Sequence, residues 1–119
     1  MANDFIRICT PNVSNSGNST LYAVPAGASS AALESIVIGI TMANKTSSGI
    51  TGSIFIDNED GSNDVFIVKD ATIPAGAALE VMSGNKLVLQ NDGTNGDNLE
   101  AICSAANSLD ITVSVLEDV

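Results

Sequence analysis

The stretch Leu109-Asp110-Ile111-Thr112-Val113-Ser114-Val115 alternates apolar and polar residues without a break. Successive side chains of a strand point to opposite faces, so this pattern puts Leu109, Ile111, Val113 and Val115 on a buried face and Asp110, Thr112 and Ser114 in water. A helix would scatter the same residues around its axis. Period two recurs upstream: Ile36 to Ala43 reads as a strand with Ile36, Ile38, Ile40 and Met42 on one face, and Ile50, Ile54 and Ile56 keep phase in the next. The turn-rich break from Asn44 to Gly49 predicts that these two form a hairpin. A second hairpin is expected where Leu79 to Met82 and Leu87 to Leu89 flank Ser83-Gly84-Asn85. With Phe5 to Cys9, Ser19 to Val24, Val65 to Val68 and Leu99 to Ser104, the tally reaches about eight or nine strands punctuated by turns. The expected fold is all-β, a single antiparallel β-sandwich of Ig-like or jelly-roll-like type.

A chain of 119 residues suits one such core. Its apolar residues are mainly Ala, Val, Ile and Leu, with three Phe, one Tyr and no Trp, so the core is aliphatic. Branching at Cβ stiffens Ile and Val and suits them to a pleated surface. The Ser-, Asn- and Gly-rich run from Pro11 to Asn18 reads as a flexible link. This divides the chain into an N-terminal strand and arm, residues 1–18, and a β-sandwich domain, residues 19–119. Ala26 to Ser35 reads as loop or edge. Val24-Pro25-Ala26-Gly27-Ala28 echoes Ile73-Pro74-Ala75-Gly76-Ala77, which fits two type I turns with Pro second and Gly fourth better than a structural repeat.

Fourteen acidic residues face four basic ones, Arg7, Lys45, Lys69 and Lys86, for a formal charge of −10. Four scattered cations do not supply the basic footprint that phosphate backbones require, which argues against nucleic-acid binding. The acidity serves solubility. The N-terminus lacks the basic start and apolar run of a secretory signal, and no stretch reaches membrane-spanning length, so synthesis in the cytoplasm and no membrane partner are expected. Cys9 and Cys103 have no metal-ligand spacing; buried free thiols are expected, and a disulfide joining the N-terminal strand to a late strand is the alternative.

Histidine is absent. That removes the Ser-His-Asp triad, the Cys-His pair and the commonest metal ligand together. No phosphate-cradling glycine motif is present either. The expectation is a protein with no catalytic, cofactor-binding or metal site. Two acidic loops, Asp57 to Asp64 and Asn91 to Asp97, carry oxygen ligands of the kind calcium takes. Their spacing departs from an EF-hand, because Ile67 or Ile102 falls where the bidentate glutamate belongs, and solvated turns explain them. Val65-Phe66-Ile67-Val68 is apolar on both faces. It is expected as a central strand of the sandwich or, if covered by a subunit, as the interaction site.

Three signatures recur together: Ile73-Pro74-Ala75-Gly76-Ala77-Ala78-Leu79, then Gly84-Asn85-Lys86-Leu87-Val88-Leu89, then Ser108-Leu109-Asp110-Ile111-Thr112-Val113-Ser114. In this order they resemble small β-sandwich virion proteins of tailed bacteriophages, of the type found with aquatic and cyanobacterial hosts. The likeness spans about Tyr22 to Glu117. It implies a non-enzymatic virion protein that decorates or cements the capsid, neck or tail, has other virion proteins as partners, and forms a homo-oligomer. The alternative of another class is a receptor- or glycan-binding module, assisted by calcium through the acidic loops.

Overall fold

The computed structural model describes residues 3–57, 64–82 and 86–118. Nine strands carry the fold: β1 (Asn3–Thr10), β2 (Ser19–Ala23), β3 (Leu33–Asn44), β4 (Ile50–Asp57), β5 (Asp64–Ile73), β6 (Ala78–Glu80), β7 (Leu87–Asn91), β8 (Asn98–Cys103) and β9 (Leu109–Asp118). One sheet runs β1-β9-β3, with β6 and β7 both on the far side of β3; the other runs β2-β8-β4-β5. All pairings are antiparallel. β7 lies along Leu33 to Val37 and β6 along Thr41 to Ala43, so the two share a single strand position on β3.

Counted by position, the first strand pairs with the last, the second with the one before it, the third with β6 and β7, and the fourth with the fifth. This nested pairing, wrapped into two facing sheets, is a jelly roll. It decides between the two sandwich types expected from sequence. It also corrects both expected hairpins. β3 and β4 lie in opposite sheets, and β6 and β7 follow one another along β3 instead of pairing. Ser83 to Asn85, the turn of the second expected hairpin, lies outside the described residues. Among the described residues, β4 and β5 are the only sequence neighbours that form a ladder.

The core lies between the sheets. Val37, Ile40 and Met42 of β3 and Ile111, Val113 and Val115 of β9 come from one side; Ile54 of β4 and Leu99 and Ala101 of β8 come from the other, and all are essentially inaccessible. β9 keeps the phase read from its alternation. β3 does not, because its register against β9 slips between Val37 and Gly39. The extra residue of this bulge, Ile38, is exposed, so Leu33, Ser35 and Val37 point inward before it and Ile40, Met42 and Asn44 after it. Ile36 and Ile38 therefore leave the buried face expected of them.

β1 is an integral strand of the first sheet, matched to β9 along its whole length, with Ile6 and Ile8 against the core. The following link is anchored in the middle: Val13 is fully buried and its N–H donates to Leu109 O at 2.9 Å, while Cys103 N–H donates to Ser14 O at 3.1 Å. The two Pro-Ala-Gly-Ala runs form different turns. Ala77 N–H closes on Pro74 O at 3.1 Å with Gly76 at φ +69°, the third-position glycine of a type II turn, whereas Gly27 has φ −72° and donates to Ala31 O. Pro74 thus stands first in its turn, and the type I assignment fails for want of the left-handed residue it omits.

Candidate interaction surface

β5 is an edge strand, not a central one. Val65 stands opposite Ile56 and Phe66 opposite Phe55, then the register slips, so that Ile67 and Val68 both lie half-buried against the core. The four apolar residues thus divide: Val65 and Phe66 remain 50% and 43% exposed, while Ile67 and Val68 support the sandwich. The Phe66 ring sits on the outer face, 5.2 Å from the buried Phe55 ring and tilted by 43°. Lys69 Nζ lies 4.5 Å from the centre of the Phe66 ring, a cation over the negative face of the aromatic.

The outer face of the other sheet carries an apolar feature that period-two reading does not display. Phe5 is opposite Leu116, Leu116 is opposite Ile36, and Ile36 is opposite Val88. These residues belong to β1, β9, β3 and β7, so they form one row straight across the sheet. Their neighbours Ile6, Val115, Val37 and Leu89 point inward, which fixes the row on the outside. Phe5 is 81% and Val88 57% exposed; Ile36 and Leu116 are half-buried between them. The row draws one residue from each of four segments far apart in sequence, so no local window contains it. The strand signal in the sequence lies in the inward residues, and the outward ones become neighbours only when the four strands pair.

The polar groups near these faces are engaged within the chain. In the loop from Asn91 to Asp97, Asp92 Oδ1 accepts from Asn95 N–H at 2.7 Å and Thr94 N–H at 2.8 Å, Asn91 Oδ1 accepts from Gly93 N–H at 2.8 Å, and Asp97 Oδ2 accepts from Gln90 N–H at 2.9 Å. The Asn95 and Thr94 amides hold the Asp92 carboxyl below the usual carboxylate range. Asn91 Nδ2 donates to Val24 O at 2.8 Å, tying the loop to the end of β2. These carboxylates shape a turn instead of converging on a common point, and among the described residues no three acidic or thiol groups gather as a metal site. The acidic loop of residues 58–63 lies outside the described residues.

Close to the loop from Asn91 to Asp97, the Tyr22 hydroxyl donates to a Glu117 carboxylate oxygen and shares a 2.8 Å hydrogen bond with Ser35 Oγ, linking β2 to β9 and β3. Burial, then the Glu117 carboxylate, pushes the phenol above its ordinary range. Lys45 Nζ lies 2.9 Å from Asp110 Oδ1, which also accepts from Asn12 N–H at 3.0 Å. Both thiols are free. Cys103 is buried, with Sγ donating to Ala105 O at 3.1 Å, but Cys9 is exposed on the outer face, contrary to the expectation that both are buried.

No family model matches the chain, and no curated protein matches it by sequence. Among solved structures, it is similar to a subunit of the disulfide-linked pili that form Bacillus endospore appendages, with 14% identity over 98% of this chain and 85% of that one at a TM-score of 0.43. It is also similar to a chain of infectious bursal disease virus strain Gx, with 10% identity over 98% of this chain and 40% of that one at a TM-score of 0.35. Likeness at this level assigns neither a family nor a role.

Proposed function

We propose that this chain is a non-enzymatic structural protein of a tailed-bacteriophage particle, decorating or cementing the capsid, neck or tail through protein contacts. The observation that carries the reading is the surface: apolar side chains stand exposed on the outer faces of both sheets, at Phe66 and along the Phe5–Leu116–Ile36–Val88 row. A sandwich whose polar side chains are tied to its own backbone and whose greasy residues face outward is built to touch other proteins. The order of turn and strand signatures in the sequence supplies the phage context. Val65 and Phe66 are proposed as one contact region, with Ile67 and Val68 holding the strand beneath them.

The test is direct. Gradient-purified particles from cells infected with the phage that encodes this chain, digested and read by mass spectrometry, contain its peptides at a stoichiometry that tracks the major capsid protein through purification. Particles free of the chain, with all of it left in the soluble lysate, would overturn the proposal.

A further inference from the structure

Four strand positions lie at the sheet edges, and three of them are blunted. β2 is five residues long and slips register between Thr20 and Tyr22. β5 slips twice against β4, carries Lys69 and bends through Asp70 at φ +50°. β6 and β7 divide the far edge of β3 into pieces of three and five residues. Shortness, bulges and lysines are the devices by which sandwiches discourage edge-to-edge pairing. β1 lacks them: its eight residues, Asn-Asp-Phe-Ile-Arg-Ile-Cys-Thr, hold unbroken register with β9 and include no Pro, Gly or Lys. Asp4, which shares the face of Ile6 and Ile8, is its one opposing charge on that side and lies exposed near the strand end. Among the described residues β1 has no strand partner but β9, so its other edge offers unpaired backbone donors and acceptors.

We infer that this edge pairs with the β1 of a second copy of the chain, antiparallel about a two-fold axis, to make one sheet continuous through both protomers. The inference does not depend on the virion reading. The side chains select the register. An axis at Arg7 would set Arg7 against the partner's Arg7, a like-charge pair, and an axis at Ile8 would push Phe5 opposite Pro11, past the end of the strand. An axis at Phe5 overlaps only Asn3 to Arg7 within the described strand. With the axis at Ile6, Asn3 to Cys9 lies opposite Cys9 to Asn3, the longest overlap free of a repulsive pair. Ile6 then faces its own copy on the core side. On the outer face each Phe5 faces an Arg7 guanidinium and has the other Phe5 as its diagonal neighbour. Cations favour aromatic faces, and diagonal neighbours lie within reach of aromatic rings, so the strand is complementary to its own reverse. Arg7 is one of only four cations on a chain of charge −10, and it stands on this edge. Two-fold pairing consumes the open edge, so association stops at two.

Sedimentation equilibrium on the full chain across concentrations up to about 1 mM tests the inference. A monomer–dimer equilibrium is expected that tightens as salt rises, because salt screens the repulsion between two anionic protomers. Phe5→Lys and Arg7→Asp each alter an exposed outward side chain, keep the monomer's circular dichroism, and weaken dimerisation about tenfold or more, since each dimer loses its cross-strand pair twice. The register has its own readout: Asn3→Cys places a thiol opposite the partner's Cys9 at a spacing that antiparallel neighbours and disulfides share. Mild oxidation then yields a covalent dimer whose linked peptides join residue 3 of one protomer to residue 9 of the other. A monomer at every concentration, an assembly that grows beyond two, a dimer indifferent to both charge variants, or crosslinks that join residue 9 to residue 9 would each overturn the inference.

Discussion

Asn44, at the end of β3, is nearly inaccessible, and its amide ties together two connections between the sheets. Its Nδ2 donates to Ser48 O at 2.8 Å, Ile73 O at 3.0 Å and Pro74 O at 3.2 Å, while Oδ1 accepts from Thr46 Oγ1 at 2.7 Å and Thr46 N–H at 2.9 Å. Asn44→Asp preserves the shape and the two accepted bonds but replaces the donor with an oxygen facing three carbonyls. Two N–H groups serving those carbonyls are lost at about 1 kcal/mol each, and a buried anion beside carbonyl oxygens adds a further cost, for a total of about 3–5 kcal/mol at neutral pH. For a domain of this size that lowers Tm by roughly 12–20 °C. Burial and the carbonyl oxygens raise the new carboxyl's pKa in the folded state above its unfolded value of ~3.9. A group raised on folding is tolerated while protonated, below the unfolded pKa, and its cost develops as pH climbs through the folded pKa. Calorimetry of wild type and variant at pH 7 and near pH 4 should therefore show a Tm gap that is wide at pH 7 and narrows on acidification. A gap under about 2 °C at pH 7, or one that does not change with pH, refutes the role assigned to the Asn44 amide.

Tyr22→Phe removes the hydroxyl joining β2 to Ser35 and Glu117 and should cost about 1–2 kcal/mol in urea denaturation. Because the phenol is raised on folding, wild type should lose stability as pH climbs above ~10, with the absorbance change of its single Tyr coinciding with unfolding; a tyrosine that ionises freely in the folded protein contradicts this. At Gly52 a Cβ would meet Met42 Sδ at 3.2 Å, Leu109 Cδ2 at 3.3 Å and Ile73 Cδ1 at 3.4 Å, all on fully buried side chains. Overpacking outweighs the backbone-entropy gain there, so Gly52→Ala should destabilise by about 1 kcal/mol, read from the urea midpoint. The Asp110 carboxyl is held down by Asn12 N–H and then by Lys45, so its contribution is present above ~3.9 and fades as pH falls through the lower folded value. Asp110→Asn should flatten the wild-type loss between pH 6 and pH 2.5 by no more than about 0.5 kcal/mol, because the pair is exposed.

The alternation of Leu109 to Val115 and the aliphatic composition announce a sandwich, and the structure keeps them. Ile36, Ile38, Ile40 and Met42 show where periodicity misleads. Val37, Gly39 and Ala43 on the second phase are compatible with burial too, so nothing local distinguishes a regular strand from one with a bulge at Ile38 that changes which residues face in. The predicted hairpins fail for a different reason. Turn-rich breaks such as Asn44 to Gly49 show that the chain reverses, but not whether it returns to the same sheet or crosses to the facing one, and in this fold nearly every reversal crosses. The interaction surface was half visible. Val65 and Phe66 stand out as an apolar run, whereas the row from Phe5 to Val88 exists only once β1, β9, β3 and β7 lie side by side.

Pairing β1 with β9 and β2 with β8 also sets a schedule for biosynthesis. On the ribosome, β1 is made before every other strand and its partner after them all. The first sheet cannot assemble until β9 has left the exit tunnel, so β1 and its greasy residues wait through the synthesis of everything between. Such long-range closure places the chain among slow-folding topologies, in the millisecond-to-second range. During that interval the open edge of β1 meets whatever nascent neighbours the polysome provides. The same topology that places β1 in the finished sheet thus leaves it the strand longest without a partner while the chain is made.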